Sequence, residues 1–434
     1  MLINLPWAYG IEPSPPRSKD MVFYAPTQPD FMFNGATIQI ICQPIHRALS
    51  LHWELSRNFV KTPLASGSTA GQMDNSFTID IPTTPLTPGF YDLVVHLALT
   101  ETQTVTGTTT FGWHADEETL YPLVPDDFLA FWQQALKKLD DVPLDVRLEH
   151  QFTLSGDAIG QYNIEHAGLP ERYDPEGEKY SEVEVSKVDF TSPCGGRVFG
   201  WFAKPVGPGP FPGMLVLPGG GPGARPAPVE HARHGYAALD IEAHGNFVDL
   251  ATYPPYPEMV YETPEQYWHY EVYLNAVQAV TALSTMPGVD ATRIAVTGGS
   301  RGGRLSVAVA GLDRRIGAAI PGITHYSYIP WLRWTEELNA AGRNGLEGFR
   351  PQDVLRDTQS HVRSYFDVLN FAPLIRCPVL MNMGLIDPVS PATGLYAAYR
   401  NITSPKEIVP MPNLGHDWSP TFDRYAWKWL AGVL

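Results

Sequence analysis

The chain has 434 residues, of which 44 % are hydrophobic, 12 % aromatic and 18 % charged. That length and balance specify a folded protein of two or three domains and exclude disorder of the whole chain. The 46 acidic against 30 basic side chains give a formal net charge of −16, and so acidic a surface argues against nucleic-acid and anionic-membrane partners.

The three cysteines, Cys42, Cys194 and Cys377, are odd in number and widely spaced. They exclude a disulfide framework and a four-cysteine zinc site, and read as reduced, mostly buried thiols. The N-terminus shows no basic segment, and Pro6 interrupts its apolar run. No signal peptide is visible, so a cytoplasmic location is the expectation. No window approaches the ~20 apolar residues that a membrane-spanning helix needs.

Residues 1–20 read as irregular. From 21 to 113, short alternating runs recur: Thr37–Ile41, Leu51–Leu55, Phe77–Ile81, Tyr91–Leu97 and Thr104–Phe111. Asn34-Gly35, Ser66-Gly67 and Pro88-Gly89 supply turns between them. Period-two strands at this spacing predict an immunoglobulin-like β-sandwich, an accessory domain over residues 1–115. The acidic stretch Asp116-Glu117-Glu118 marks its boundary.

Asp126 or Asp127 is placed to cap a helix that starts at Phe128. Strand patterns at Val183–Phe190 and Arg197–Lys204 follow. Short apolar strands then alternate with helical patterns: Met214–Leu217, Ala237–Asp240, Ile294–Thr297, Ala318–Ile320 and Val379–Met383, with helices near 263–286, 303–312 and 391–400. Continuous apolar strands separated by helices predict a mostly parallel sheet covered on both faces, an α/β domain over 116–434.

Chemistry concentrates in Gly298-Gly299-Ser300-Arg301-Gly302. The pattern G-x-S-x-G is weak alone, but here an apolar strand runs into it and a helix pattern leaves it. That is the context of a nucleophile elbow. Ser300 is the candidate nucleophile. Asp387 follows the strand pattern at 379–384, where the acid of a triad belongs, and His416, near the C-terminus, is the candidate base. Asp417 is the rival acid, but a residue adjacent to the histidine reaches its Nδ1 poorly. The oxyanion donors read as the backbone amides of Arg301 and of Gly220, in the turn Pro218-Gly219-Gly220-Gly221.

These residues resemble the acetyl xylan esterase/cephalosporin C deacetylase family of α/β hydrolases (carbohydrate esterase family 7-like), from about Val124 to Leu434. The resemblance rests on Pro125–Trp132, Gly298–Gly303, Tyr365–Asp367, Asn370–Ala372, Cys377–Leu380, Gly384–Asp387 and Pro405–Ile408. It implies an α/β-hydrolase fold and removal of acetyl groups from sugar hydroxyls, with no cofactor and no metal. It also implies a homo-oligomer. The chain departs from the family in three places: Arg301 stands where a glutamine is usual, Pro218-Gly219-Gly220 replaces a tyrosine-bearing turn, and Ala243–Asn246 replaces an Arg-Gly-Gln signature. A cation beside the nucleophile suggests an acidic or otherwise unusual acetylated sugar.

Two aromatic segments follow sheet strands: Tyr253, Tyr256 and Tyr261, then His325, Tyr326, Tyr328, Trp331 and Trp334. They either roof the site, with Tyr326 and Trp331 stacking on sugar, or pack against the body or a neighbouring subunit. His231 and His234 are spaced for a metal but lack a third ligand, and read as a solvated helix face. Two other functions compete with the acetylesterase: another α/β-hydrolase reaction on a peptide, lactone or larger acyl ester, and a catalytically silent carbohydrate-binding protein.

Overall fold

The computed structural model describes residues 20–434 except 71, 73–74, 168–176, 178, 221–224, 243–247, 249–260, 326 and 343–355. Its N-terminal part contains β1 (Met21–Tyr24), β2 (Met32–Phe33), β3 (Ile38–Pro44), β4 (Ser50–Arg57), β5 (Ala65–Ala70), β6 (Phe77–Ile81), β7 (Gly89–Ala98) and β8 (Thr104–Trp113). They form two sheets, ordered β1-β3-β6 and β2-β8-β7-β4-β5. Alternate side chains point inward, so Ile38, Ile40 and Cys42 of β3 and Leu51, Trp53 and Leu55 of β4 are buried. Period-two burial on both sheets is what makes this part a sandwich.

The second part begins with the helix Phe128–Asp140, which buries Phe128, Trp132 and Ala135 at helical spacing. Asp127 occupies its N-cap position but makes no capping bond. Its carboxylate instead accepts from the Tyr365 hydroxyl. Among the described residues nine strands follow: β9 (Arg147–Ser155), β10 (Glu182–Thr191), β11 (Arg197–Pro205), β12 (Phe211–Val216), β13 (Ala237–Ile241), β14 (Val289–Gly299), β15 (Ile316–Gly322), β16 (Val379–Gly384) and β17 (Lys406–Met411). Their order in the sheet is β9-β10-β11-β13-β12-β14-β15-β16-β17. The pairings from β13 to β17 are parallel, and those of β9, β10 and β11 antiparallel.

The order reverses at β12, which has β13 on one side and β14 on the other. Such a switch point leaves a crevice beyond the carboxyl ends of the strands. The turn after β12 and the turn after β14 both open into it. The strand and helix patterns predict the parallel part of this sheet, and the whole is the α/β-hydrolase arrangement that the resemblance implies.

Polar contacts join the two parts. The buried Arg57 guanidinium pairs with the buried Glu118 carboxylate and lies 5.6 Å from the ring of Trp331. Lys61 N donates to Asn339 Oδ1 at 2.8 Å, and Asn339 Nδ2 donates to Phe59 O at 2.9 Å. The sandwich therefore docks on the helix Ile329–Ala341. Phe90 packs on Tyr396, in the helix Ala392–Asn401. Asp367 fixes the first of these helices at its start, its carboxylate accepting from the amides of Tyr328 and Ile329 at 3.0 and 2.7 Å.

Candidate active site

Ser300 sits between β14 and the helix Arg301–Leu312 with φ 58° and ψ −117°. A side-chain-bearing residue is strained there, and such strain clusters at functional sites. The fold holds it in place: Ser300 N donates to Gly322 O at 3.0 Å, while its carbonyl accepts from His325 N at 3.2 Å and Arg304 N at 3.1 Å. The flanking glycines have a steric reason. A Cβ on Gly298 would fall 2.5 Å from Leu217 O, and one on Gly302 only 2.1 Å from the same oxygen. Only bare backbone lets the turn after β12 lie this close to the elbow.

His416 Nε2 lies 2.8 Å from Ser300 Oγ. Its Nδ1 lies 2.9 and 3.1 Å from the two oxygens of Asp387. These partners select the tautomer with the proton on Nδ1, which leaves Nε2 free to take the serine proton. Asp387 is buried and its Oδ1 also accepts the amides of Val389 and Ser390, both at 2.8 Å. The rival acid, Asp417, accepts from the amide of Trp418. A neighbouring imidazole, His325, is pushed down to about 4 by burial and by the charge of Arg304, so it is neutral at neutral pH.

The arginine after the nucleophile does not face a substrate. Arg301 is buried, and its Nη2 donates to Gly219 O at 2.7 Å while Nε reaches Pro218 O at 3.4 Å. Trp268 lies 6.0 Å from its guanidinium. Burial and the nearby Arg225 pull its pKa down to about 9, with Glu242 opposing them. The expected preference for an acidic sugar therefore loses its basis, because the cation is directed into the protein. Gly219 lies against the elbow: a Cβ there would be 3.4 Å from Gly299 O. At Gly220 a Cβ would meet nothing within 4 Å.

Trp331 does not stack on a substrate. Its relative exposure is 0 %, and its ring meets Arg57 of the sandwich. A ring that water cannot reach offers no face to a sugar. Tyr326, Tyr253 and Tyr256 lie outside the described residues. Tyr261 is buried on Tyr267, and Tyr328 and Trp334 are also buried. His231 and His234 are packed rather than solvated. Their rings contact Trp427 at 5.2 and 4.2 Å, and burial pushes His231 down to about 3.

Two arginines escape the sequence reading. Arg225 Nη2 donates to Gly219 O at 2.6 Å. Arg304 is buried behind the elbow, with Nε donating to Tyr273 Oη at 2.6 Å. Arg304 leaves one signal, a second charge after Arg301 on a helix with no other charged residue; Arg225 leaves none.

Sheet order, strained elbow and the Ser300–His416–Asp387 alignment define an α/β hydrolase of serine-nucleophile geometry. The profile of the acetyl xylan esterase family (AXE1) matches residues 121–433, and the chain belongs to that family. Acetyl esterase Axe7A of Xylanibacter ruminicola is 28 % identical over 322 residues, covering 70 % of this chain and 66 % of that enzyme. The chain thus spans just under two thirds of that relative. An acetyl xylan esterase from Paenibacillus sp. R4 superposes with a TM-score of 0.57 at 25 % identity, covering 74 % of this chain and 98 % of the other. Acetyl xylan esterase 1 from Thermoanaerobacterium sp. JW/SL YS485 shares the fold, with a TM-score of 0.56 at 22 % identity over 72 % of this chain and 95 % of the other.

Proposed function

We propose that the chain is a serine esterase that removes acetyl groups from acetylated carbohydrates. The observation that carries this reading is the unbroken alignment of Ser300 Oγ, the His416 ring and the Asp387 carboxylate, at 2.8 and 2.9 Å, in a member of this family.

The chemistry follows from that alignment. Ser300 Oγ attacks the acetyl carbonyl carbon while its proton passes to His416 Nε2. The Asp387 carboxylate stabilises the imidazolium and keeps the ring in register. Negative charge grows on the carbonyl oxygen, which the amides of Arg301 and Gly220 receive. The Arg301 amide opens a helix, where the backbone dipoles also favour an anion. One such donor is worth ~3–4 kcal/mol in the transition state. The tetrahedral species collapses, and the sugar oxygen leaves with the proton from His416. Water then attacks the acetyl-serine with His416 as base, releasing acetate and restoring Ser300.

The test is acetate release from acetylated mono-, oligo- and polysaccharides, with wild type beside Ser300→Ala. Release by wild type and its loss in the variant support the reading. Cleavage of some other ester or amide without acetate release overturns it. An acetyl-sized site also rejects butyryl esters by at least ~10-fold. The homo-oligomer that the resemblance implies is tested by light scattering, which should give a mass several times 48.0 kDa.

A further inference from the structure

The turn after β12 carries two arginines on one oxygen. Arg301 Nη2 and Arg225 Nη2 donate to Gly219 O at 2.7 and 2.6 Å, and Arg301 Nε adds Pro218 O at 3.4 Å. Arg301 reaches the turn from the first residue of the helix after the nucleophile, and Arg225 reaches it from the chain that leaves the turn. The Gly219–Gly220 peptide bond is trans, since the described cis bond is Gly209–Pro210. In a trans peptide the carbonyl and the following N–H point in opposite directions. Pinning Gly219 O against two guanidinia therefore fixes which way Gly220 N–H points.

We infer that Arg225 and Arg301 form a two-armed clamp on Gly219 O that aims the Gly220 amide at the oxyanion. Both are positioning residues for deacetylation. The inference rests on the esterase reading above and assigns a task to two side chains that the triad leaves unused. The clamp has a physical rationale. Gly219 and Gly220 lack side chains to hold them, and their peptide would otherwise sample several orientations. Two charge-assisted bonds to one carbonyl restrict that freedom. Preorganised donors are what make an oxyanion site effective, because no reorientation is needed during reaction. The clamp also accounts for an arginine beside the nucleophile. A guanidinium there can bridge two successive carbonyls from a buried position, where an ammonium would offer a single point contact.

The experiment compares wild type with Arg225→Gln, Arg301→Gln and Arg225→Lys as full-length proteins, using p-nitrophenyl acetate. Rates are expressed per Ser300 labelled by a fluorophosphonate, so misfolded protein does not count. Either glutamine variant is expected to lose about 10- to 100-fold in kcat, with KM within about 3-fold of wild type, since a misaimed donor weakens the transition state more than the ground state. Affinity for a small boronic acid, which forms a tetrahedral adduct on the serine, should fall with kcat/KM. Arg225→Lys keeps one donor and should recover part of the loss. A merely structural role would lower the labelled fraction and leave kcat and boronate affinity unchanged. The clamp is overturned if both glutamine variants keep kcat within about 3-fold, or if only KM moves. If Arg301→Gln does not fold, Arg225→Gln decides alone, its side chain being only half-buried. Wild type without acetate release sinks the esterase reading itself; active wild type with unaffected variants sinks the clamp alone.

Discussion

The two oxygens of Asp387 lie 2.9 and 3.1 Å from Nδ1 of His416, and the carboxylate is buried. Oδ1 is further held by the amides of Val389 and Ser390. The acid is thus held by its own loop as well as by the histidine. Asp387→Asn keeps the shape but donates where the ring must donate, favouring the wrong tautomer. The expected loss in kcat is about 10³- to 10⁴-fold, with KM little changed. Steady-state kinetics on an acetyl ester checks it, and a loss under 10-fold would assign the role of orienting acid elsewhere.

The close approach of the elbow to the turn after β12 predicts a steric penalty. A methyl group at Gly302 would sit 2.1 Å from Leu217 O, and backbone cannot swing aside as a flexible side chain can. Gly302→Ala should cost about 1–3 kcal/mol in stability and should displace the turn as well. Urea denaturation reads the first effect and kcat the second. An alanine variant with an unchanged midpoint would mean that the turn has room to move.

A second prediction on stability concerns the junction between sandwich and hydrolase. Arg57 and Glu118 pair with side-chain exposures of 4 % and 8 %. Removing one partner strands a buried charge, so Arg57→Met should cost about 3–5 kcal/mol. Replacing Glu118 by glutamine in the same chain should restore part of it, because the stranded charge is gone. Equal stability of the single and double variants would contradict this account.

Asp240 gives a pH dependence. It lines a cavity of about 410 Å³ between the sheet and the helix Pro420–Val433, and burial raises its carboxyl to about 8 from an ordinary 3.8, against the pull of Arg225. A raised acid contributes stability while it is protonated. That contribution is complete below about pH 4 and is lost as pH rises towards 8. Wild-type stability relative to Asp240→Asn should therefore fall across this window and level off above it. Thermal unfolding at a series of pH values checks the sign, and a rising difference would reverse it.

How much of this the sequence carries differs by element. Strands β12 to β16 are readable because the buried stretches of parallel strands are continuous apolar runs. Ser300, Asp387 and His416 are readable because their position depends on strand ends, which local patterns locate. Trp331 and Arg301 are not. Helical spacing says that Trp331 faces something, but Arg57, far away in the chain, decides what. The identity of Arg301 announces a charge near the nucleophile, while its direction depends on two carbonyls of another turn. His231 and His234 fail for the same reason: the surface they cover is Trp427, on the last helix.

The most direct test of the account is to catch the acyl-enzyme. Wild type mixed with an acetylated sugar and quenched in acid within the first turnovers should carry one acetyl group on the peptide that contains Ser300, and Ser300→Ala should carry none. Acetate release with no acetyl on Ser300, or with the same acetyl on Ser300→Ala, would contradict a serine nucleophile at this elbow.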